Sequence, residues 1–355
     1  MTTDLLAAAA ELVAIPSASR SEAALADHIE GALSRCEWLT VDRVGDNVVA
    51  RTQLGRAERV IIAGHLDTVP AAGNETPRVI GETLFGLGAC DMKGGLAVML
   101  ELATTLIEPA TDVTWCFYAC EEVDRTENGL IGLFASHPEL LAGDAAILCE
   151  PTGALVEAGC QGTIRVRVEF GGKRAHTARP HLGRNAVHRL VPLLARVADW
   201  EPRSVVLDGC EYTERLQVVF VDGGVAANVV PDRASATLNF RFAPDRDLAE
   251  AHRYLAGLFV DLVDPEQGDT YLVLDEGRSA PPGLDHPVLA RLLKASGRPP
   301  RAKLGWTDVA TFAEHGVPAT NFGPGDPDLA HQSDEHVDRA SLEAARSELA
   351  ELLAG

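Results

Sequence analysis

The chain is short of positive charge. Its 355 residues carry 31 Lys and Arg against 52 Asp and Glu, a formal net charge of −21. That balance disfavours nucleic acid and anionic membranes as partners and favours cations. Long hydrophobic runs are also missing. The longest stretches, residues 5–16 and 96–107, are each broken by a glutamate. Neither reaches the roughly 20 apolar residues that a membrane span needs. The N-terminal segment lacks a basic region and contains Asp4 and Glu11, which is not the pattern of a secretory leader, so a cytoplasmic location is expected. Cysteine is sparse and odd in number, seven in all, which argues against a disulfide framework. There is no internal repeat and no low-complexity tract.

What remains is an ordinary globular composition, 46% apolar and 23% charged, which excludes a disordered chain. The length fits two domains, or one large α/β domain with an insertion. Helices are expected at residues 5–16, 21–33, 94–106 and 129–134. Between them lie short apolar runs at 48–51, 59–64, 113–119 and 145–149. Runs of that kind alternating with helices describe a helix-flanked, mostly parallel sheet. Near Gly162 the texture changes. Residues 163–170 alternate strictly, as a half-solvated strand does. A helix is expected at 185–200, strands at 216–221 and 234–242, a helix at 248–262 and a strand at 270–275. That βαββαβ order is an open-faced sandwich. The expected architecture is therefore an α/β catalytic domain, residues 1–161 and 278–355, interrupted by an inserted α+β domain, residues 162–277.

The ends of the buried runs hold the residues with chemistry. The first ends in Gly64–His65–Leu66–Asp67. Residues two apart on a strand point the same way, here into the crevice where α/β sheets bind ligands. Taken alone, such a pair is more often a satisfied histidine and a loop-capping aspartate. Gly86–Leu87–Gly88–Ala89–Cys90–Asp91 lets the backbone crowd a site, or Asp91 simply caps the following helix. Glu121 and Glu122 are adjacent carboxylates at a buried strand's end, costly without a cation or donors. On an extended chain they face opposite ways, one to a metal and one to its water. Glu150 closes a further run. Downstream stand Gly323, Gly325, His331 and the segment Asp334–Glu335–His336–Val337. Oxygen and imidazole donors of this kind suit Zn²⁺. The thiols read as core residues, because Cys116 and Cys120 lack a second pair at zinc-finger spacing.

In this order the motifs resemble the dinuclear-zinc aminoacylases and glutamate carboxypeptidases, over nearly the whole chain. The inserted region joins in: Ala175–His176–Thr177–Ala178 resembles a lid histidine segment, and residues 223–231 resemble a lid segment containing Asn228. The resemblance implies an amide hydrolase acting on a small N-acyl amino acid, with two Zn²⁺ per subunit and Co²⁺ as a substitute. His65 and Glu150 would hold one ion, Glu122 and His331 the other, and Asp91 would bridge them. Asp67 would orient His65 through its second ring nitrogen, and Glu121 would be the general base. The inserted domain would serve as lid and homodimer interface, with His176 reaching the partner's site. Arg241, Asn228, Thr307 and Gly325 would contact substrate. One departure stands out. Well-known members carry basic residues where this chain has Cys160–Gln161. The charge that reads a substrate carboxylate must then come from elsewhere: Arg165, Arg174, Arg179 and Arg241 are candidates, and Arg241, inside a strand, matches a family arginine.

Overall fold

The computed structural model describes residues 4–355, and the chain separates into two compact units. The first comprises residues up to 159, then 282–301 and 307–355; the second comprises residues 160–281 and 302–306.

The first unit begins with α1 (Leu5–Val13), α2 (Ala23–Leu33), β1 (Thr40–Val44), β2 (Asn47–Arg51) and β3 (Arg59–His65). β4 (Arg78–Ile80), β5 (Thr83–Phe85), α3 (Gly94–Thr105), β6 (Asp112–Tyr118), α4 (Gly129–Ser136), β7 (Ala145–Leu148) and β8 (Glu157–Ala158) follow. The second unit supplies β9 (Gly162–Gly171), α5 (Ala186–Ala198), β10 (Ser204–Leu207), β11 (Cys210–Thr213), β12 (Arg215–Gly223), β13 (Arg233–Phe242), α6 (Leu248–Gly257) and β14 (Thr270–Gly277). The chain then adds α7 (Pro287–Ser296), β15 (Arg301–Ala302), α8 (Val309–Glu314), β16 (Ala319–Asn321), β17 (His336–Asp338) and α9 (Arg339–Ala354).

The large sheet has the order β1-β2-β6-β3-β7-β16-β8-β15. Its centre, β6-β3-β7-β16, is parallel, and β1, β2 and β8 run antiparallel at the flanks. This is the expected mostly parallel sheet. The central strands are buried on both faces, with Ile61, Ile62, Val113, Phe117 and Ile147 all at 0% exposure, so they read as continuous apolar runs rather than alternating ones. Register aligns their carboxyl ends: His65 lies opposite Tyr118, and Leu148 opposite both Ala63 and Asn321. A separate small sheet, β17-β5-β4, and the strand β1 escaped the sequence reading. These pieces are short and partly exposed, so they lack a hydrophobic signature.

The second unit is a four-stranded antiparallel sheet, β12-β13-β9-β14. Ile164, Val166, Val168 and Phe170 form one core with Leu190 and Leu193 of α5 and Leu255 of α6, while the alternating Arg165 is exposed and Arg167 and Glu169 are half-buried. The alternation seen in the sequence is thus one covered face and one open face. Several helix ends and one hairpin differ from expectation: α1 stops at Val13 and α5 at Ala198. α6 stops at Gly257 rather than Leu262, and a hairpin, β10-β11, occupies residues 204–213.

Candidate active site

His65 is the last residue of β3. The backbone before it is closely packed: a Cβ on Gly64 would stand 2.4 Å from Met92 Cε and 3.0 Å from Leu96 Cδ2, so these side chains would have to shift for any larger residue. His65 Nε2 lies 3.1 Å from Asp91 Oδ1. Asp91 belongs to the turn Ala89–Lys93, which leads from β5 into α3. Its other oxygen, Oδ2, is 3.5 Å from His331 Nε2, and that same nitrogen lies 2.7 Å from Glu122 Oε1. Glu150 follows β7 and is 6% exposed. Two groups of donor atoms therefore form, His65–Asp91–Glu150 and Asp91–Glu122–His331, each within 4.8 Å and sharing Asp91. A third, His65–Glu121–Glu122, overlaps them.

The two glutamates arrive differently from the sequence expectation. After β6 the backbone turns at Cys120, with φ +60°, so Glu121 and Glu122 do not lie on an extended chain with opposed side chains. Both join His65 in one group. The turn also aims their N–H groups at the Asp67 carboxylate, at 2.9 and 3.0 Å, and Ser19 Oγ donates to it at 2.8 Å. The partner nearest to His65 Nδ1 is the main-chain oxygen of Asp67, at 2.9 Å; the carboxylate is 3.6 Å away. Asp67 thus touches His65 mostly through its backbone and spends its side chain on the glutamate loop. Ser19 carried no signal in the sequence, because its partner is 48 residues away.

The electrostatics are those of concentrated negative charge. Burial pushes the Glu121 carboxyl well above the usual range; His65 opposes this, and Glu150, Asp308 and Glu122 add to it. His331 is raised to about 10 by its bonds to Asp91 and Glu122. Burial works to lower His65, yet Asp67 and Asp91 carry it well above its ordinary value. Four carboxylates and two imidazoles that draw positive charge inward form a donor set matching a divalent cation.

The remaining expected residues divide between the units. Thr307 is 4% exposed and precedes Asp308, a buried carboxylate that accepts from Asn128 and Thr311 at 2.8 and 2.6 Å. Gly325, at φ +87°, lies against Cys90, whose Sγ would be 2.7 Å from an added Cβ. His176, Asn228 and Arg241 belong to the second unit. His176 and Val229 form an isolated bridge, and Thr177 N–H donates to Asn228 O at 3.0 Å, so these two segments are neighbours. Arg241 sits on β13 with its Nε 3.1 Å from Asn239 Oδ1, and burial lowers its pKa. Arg165 and Arg174 are paired with Asp275 and Asp232. None of the seven cysteines is in a disulfide, and six of them are buried.

Two carboxylate–imidazole groups joined through one aspartate, with His65, Glu122 and Glu150 at or beyond the carboxyl ends of parallel strands, are the site of a metal-dependent hydrolase. Residues 61–355 match Peptidase family M20/M25/M40, and the chain belongs to that family: it is a metalloenzyme that hydrolyses an amide. Among its relatives, the succinyl-diaminopimelate desuccinylase of Corynebacterium glutamicum is 47% identical over 330 residues, 91% of this chain and 89% of its own. DapE of Mycobacterium tuberculosis is 49% identical over 347 residues, 98% of this chain and 97% of its own. The YXEP protein of Bacillus subtilis, a dinuclear metal-binding peptidase of the M20 family, matches in structure with a TM-score of 0.71 at 17% identity, covering 99% of this chain and 96% of that one. No helix among the described residues is long and apolar enough to cross a membrane.

Proposed function

We propose that this chain removes succinate from N-succinyl-LL-2,6-diaminopimelate in the cytoplasm, using two Zn²⁺ per subunit that Co²⁺ can replace. The observation that carries the reading is Asp91, whose two oxygens face His65 and His331 separately. His65 and Glu150 would hold one ion, Glu122 and His331 the other, and Asp91 would serve both. That would give each ion three protein donors, the number typical of catalytic rather than structural sites. Bound there, such ions polarise an amide carbonyl and make water a stronger acid.

The protein's own groups complete the reaction. Glu121 takes a proton from the attacking water and returns it to the departing nitrogen. The water oxygen bonds to the amide carbon, the C–N bond breaks, and succinate and the free diamino acid leave. Asp67 keeps Glu121 and Glu122 in place through their N–H groups. His176 donates to the carbonyl oxygen as negative charge develops on it, reaching across a homodimer. Arg241, Asn228, Thr307 and Gly325 bind the substrate's carboxylates and amines.

The dimer reading draws on β12, an edge strand of the second unit that exposes Val219, Phe220 and Val221 at 45, 70 and 58%. Bare apolar edges of this kind invite pairing with a second copy. One observation favours a second substrate: Cys160 and Gln161 are buried, and Gln161 Nε2 is bonded to Thr213 O, so neither supplies charge to a succinyl carboxylate. The alternative is deacylation of N-acetylornithine or another N-acyl amino acid. Assay of the zinc-loaded protein on succinyl-diaminopimelate, succinylornithine and acetylornithine decides. A kcat/KM at least tenfold higher on the first is expected; preference for acetylornithine would overturn the assignment.

A further inference from the structure

Glu335 lies in the acidic segment that follows His331, and no step described so far uses it. It is 2% exposed. Its Oε1 accepts the N–H groups of Cys90 and Asp91, both at 2.9 Å, and its Oε2 accepts that of Gly88 at 3.0 Å. Its main-chain oxygen accepts Gly86 N–H at 3.1 Å. One residue therefore binds four of the N–H groups in the turn that presents Asp91. The placement follows from strand register. His336 of β17 pairs with Phe85 of β5, so the residue before one strand meets the residue after the other. Glu335 N–H in turn donates to Gln332 O at 3.2 Å, one residue past His331. The segment that delivers His331 thus also grips the loop that delivers Asp91.

We propose that Glu335 is a positioning residue for the metal centre: by clamping residues 86–91 it fixes the direction of the shared Asp91 carboxylate relative to His331. The inference rests on Asp91 and His331 being metal ligands. A carboxylate is the only side chain that offers acceptors, and no donors, at both oxygen positions. In Glu335→Gln the amide nitrogen must face either Gly88 N–H or the Cys90 and Asp91 pair, so one end of the clamp becomes a donor facing donors. In Glu335→Asp the charge is kept but the carboxylate retracts by one methylene. Both variants should loosen Asp91, and because Asp91 belongs to both donor groups, both ions should weaken together.

The test is titration of the full-length metal-free protein with CoCl2, followed by visible absorption, alongside thermal unfolding. Wild type should bind two equivalents. Glu335→Gln and Glu335→Asp should remain folded and bind Co²⁺ about 10–100-fold more weakly at both positions, the usual cost of losing a partner that orients a ligand. His331→Ala, by contrast, should lose one ion. A helix cap of purely structural value would lower the melting temperature and leave Co²⁺ affinity and spectrum unchanged; that result, in either variant, overturns the proposal. If Glu335→Asp binds Co²⁺ like wild type, charge rather than position is what matters, and the proposal falls. Wild-type protein that binds no Co²⁺ would sink the metal-centre assignment itself, and with it the proposal.

Discussion

At the residue scale, Glu121 is placed where a carboxylate is least comfortable as an anion. It is half-buried and shares its surroundings with Glu150, Asp308 and Glu122. A group held that way accepts a proton readily, as a base near neutral pH must. Glu121→Ala should leave metal content near normal, since neither of the two donor groups sharing Asp91 contains it. The variant should cut kcat by about 10²–10⁴-fold, and a variant with two ions and wild-type kcat would refute the assignment. Ligand substitutions should separate by connectivity. Asp91→Ala should empty both positions, because its oxygens serve both groups, while His331→Ala should empty one; elemental analysis of dialysed protein reads this directly. Much of this arrangement is legible from the chain. His65, Glu121 and Glu150 stand at or just beyond the ends of apolar runs, and strand geometry alone brings such ends together. The Asp67 side chain is different. Its bond to the glutamate loop depends on the positive φ of Cys120, and no periodicity announces that turn in a non-glycine residue.

The elements carry their own stakes. Arg189 of α5 makes two bonds to Asp269, at 2.6 Å each, and Asp269 also accepts Gly171 and Asp264 N–H. The Asp269 side chain is fully buried. Burial alone would raise its carboxyl, but Arg189 and the two N–H groups lower it. A carboxylate depressed in the folded chain stabilises it above the unfolded value, near 3.9, and that contribution disappears as pH falls through the folded value. Thermal melts should therefore show this pair's contribution intact at pH 6 and declining below about pH 4. Asp269→Ala at pH 7 should cost about 3–5 kcal/mol, because it strands a mostly buried guanidinium; denaturant titration measures the loss. Such a clamp joins residues 80 apart, which is why the sequence shows α5 and β14 but not what fastens them. The hairpin β10-β11 was missed for a related reason. Its strands are four residues each, and its first alternates between exposed and half-buried positions, too weak a pattern to stand out beside the strongly periodic β9.

For the whole molecule, the question is whether one chain makes a complete catalyst. His176 and Glu121 belong to different units, and the exposed Phe220 edge offers a place for two copies to join. Phe220→Asp should place like charges at the seam and shift the protein to monomers by sedimentation, with activity falling in step. Glu121→Ala and His176→Ala proteins, each inactive, should restore activity when their subunits exchange. Half of the dimers would be mixed and each would hold one intact site, so recovery should plateau at about a quarter of wild type (a mixing estimate for a two-fold dimer). If His176 served its own chain, no mixed dimer would contain a complete site and no activity would return.

The order of strands in the large sheet also has a consequence for synthesis. β16 lies between β7 and β8, yet β7 ends at Leu148 and β16 begins at Ala319, a gap of 319 − 148 = 171 positions. At about 5–20 residues per second, a ribosome needs roughly ten to thirty seconds to cross it. For all of that time the nascent chain presents the open side of β7, with Ala146, Ile147 and Leu148 awaiting their partners. An unpaired, wholly apolar strand edge is the feature that chaperones capture and aggregates grow from. The insertion that equips this enzyme with a second unit thereby leaves its central sheet unfinished until late in translation. Slowing elongation within codons 160–280 should lower the soluble yield more than the same delay placed after codon 325.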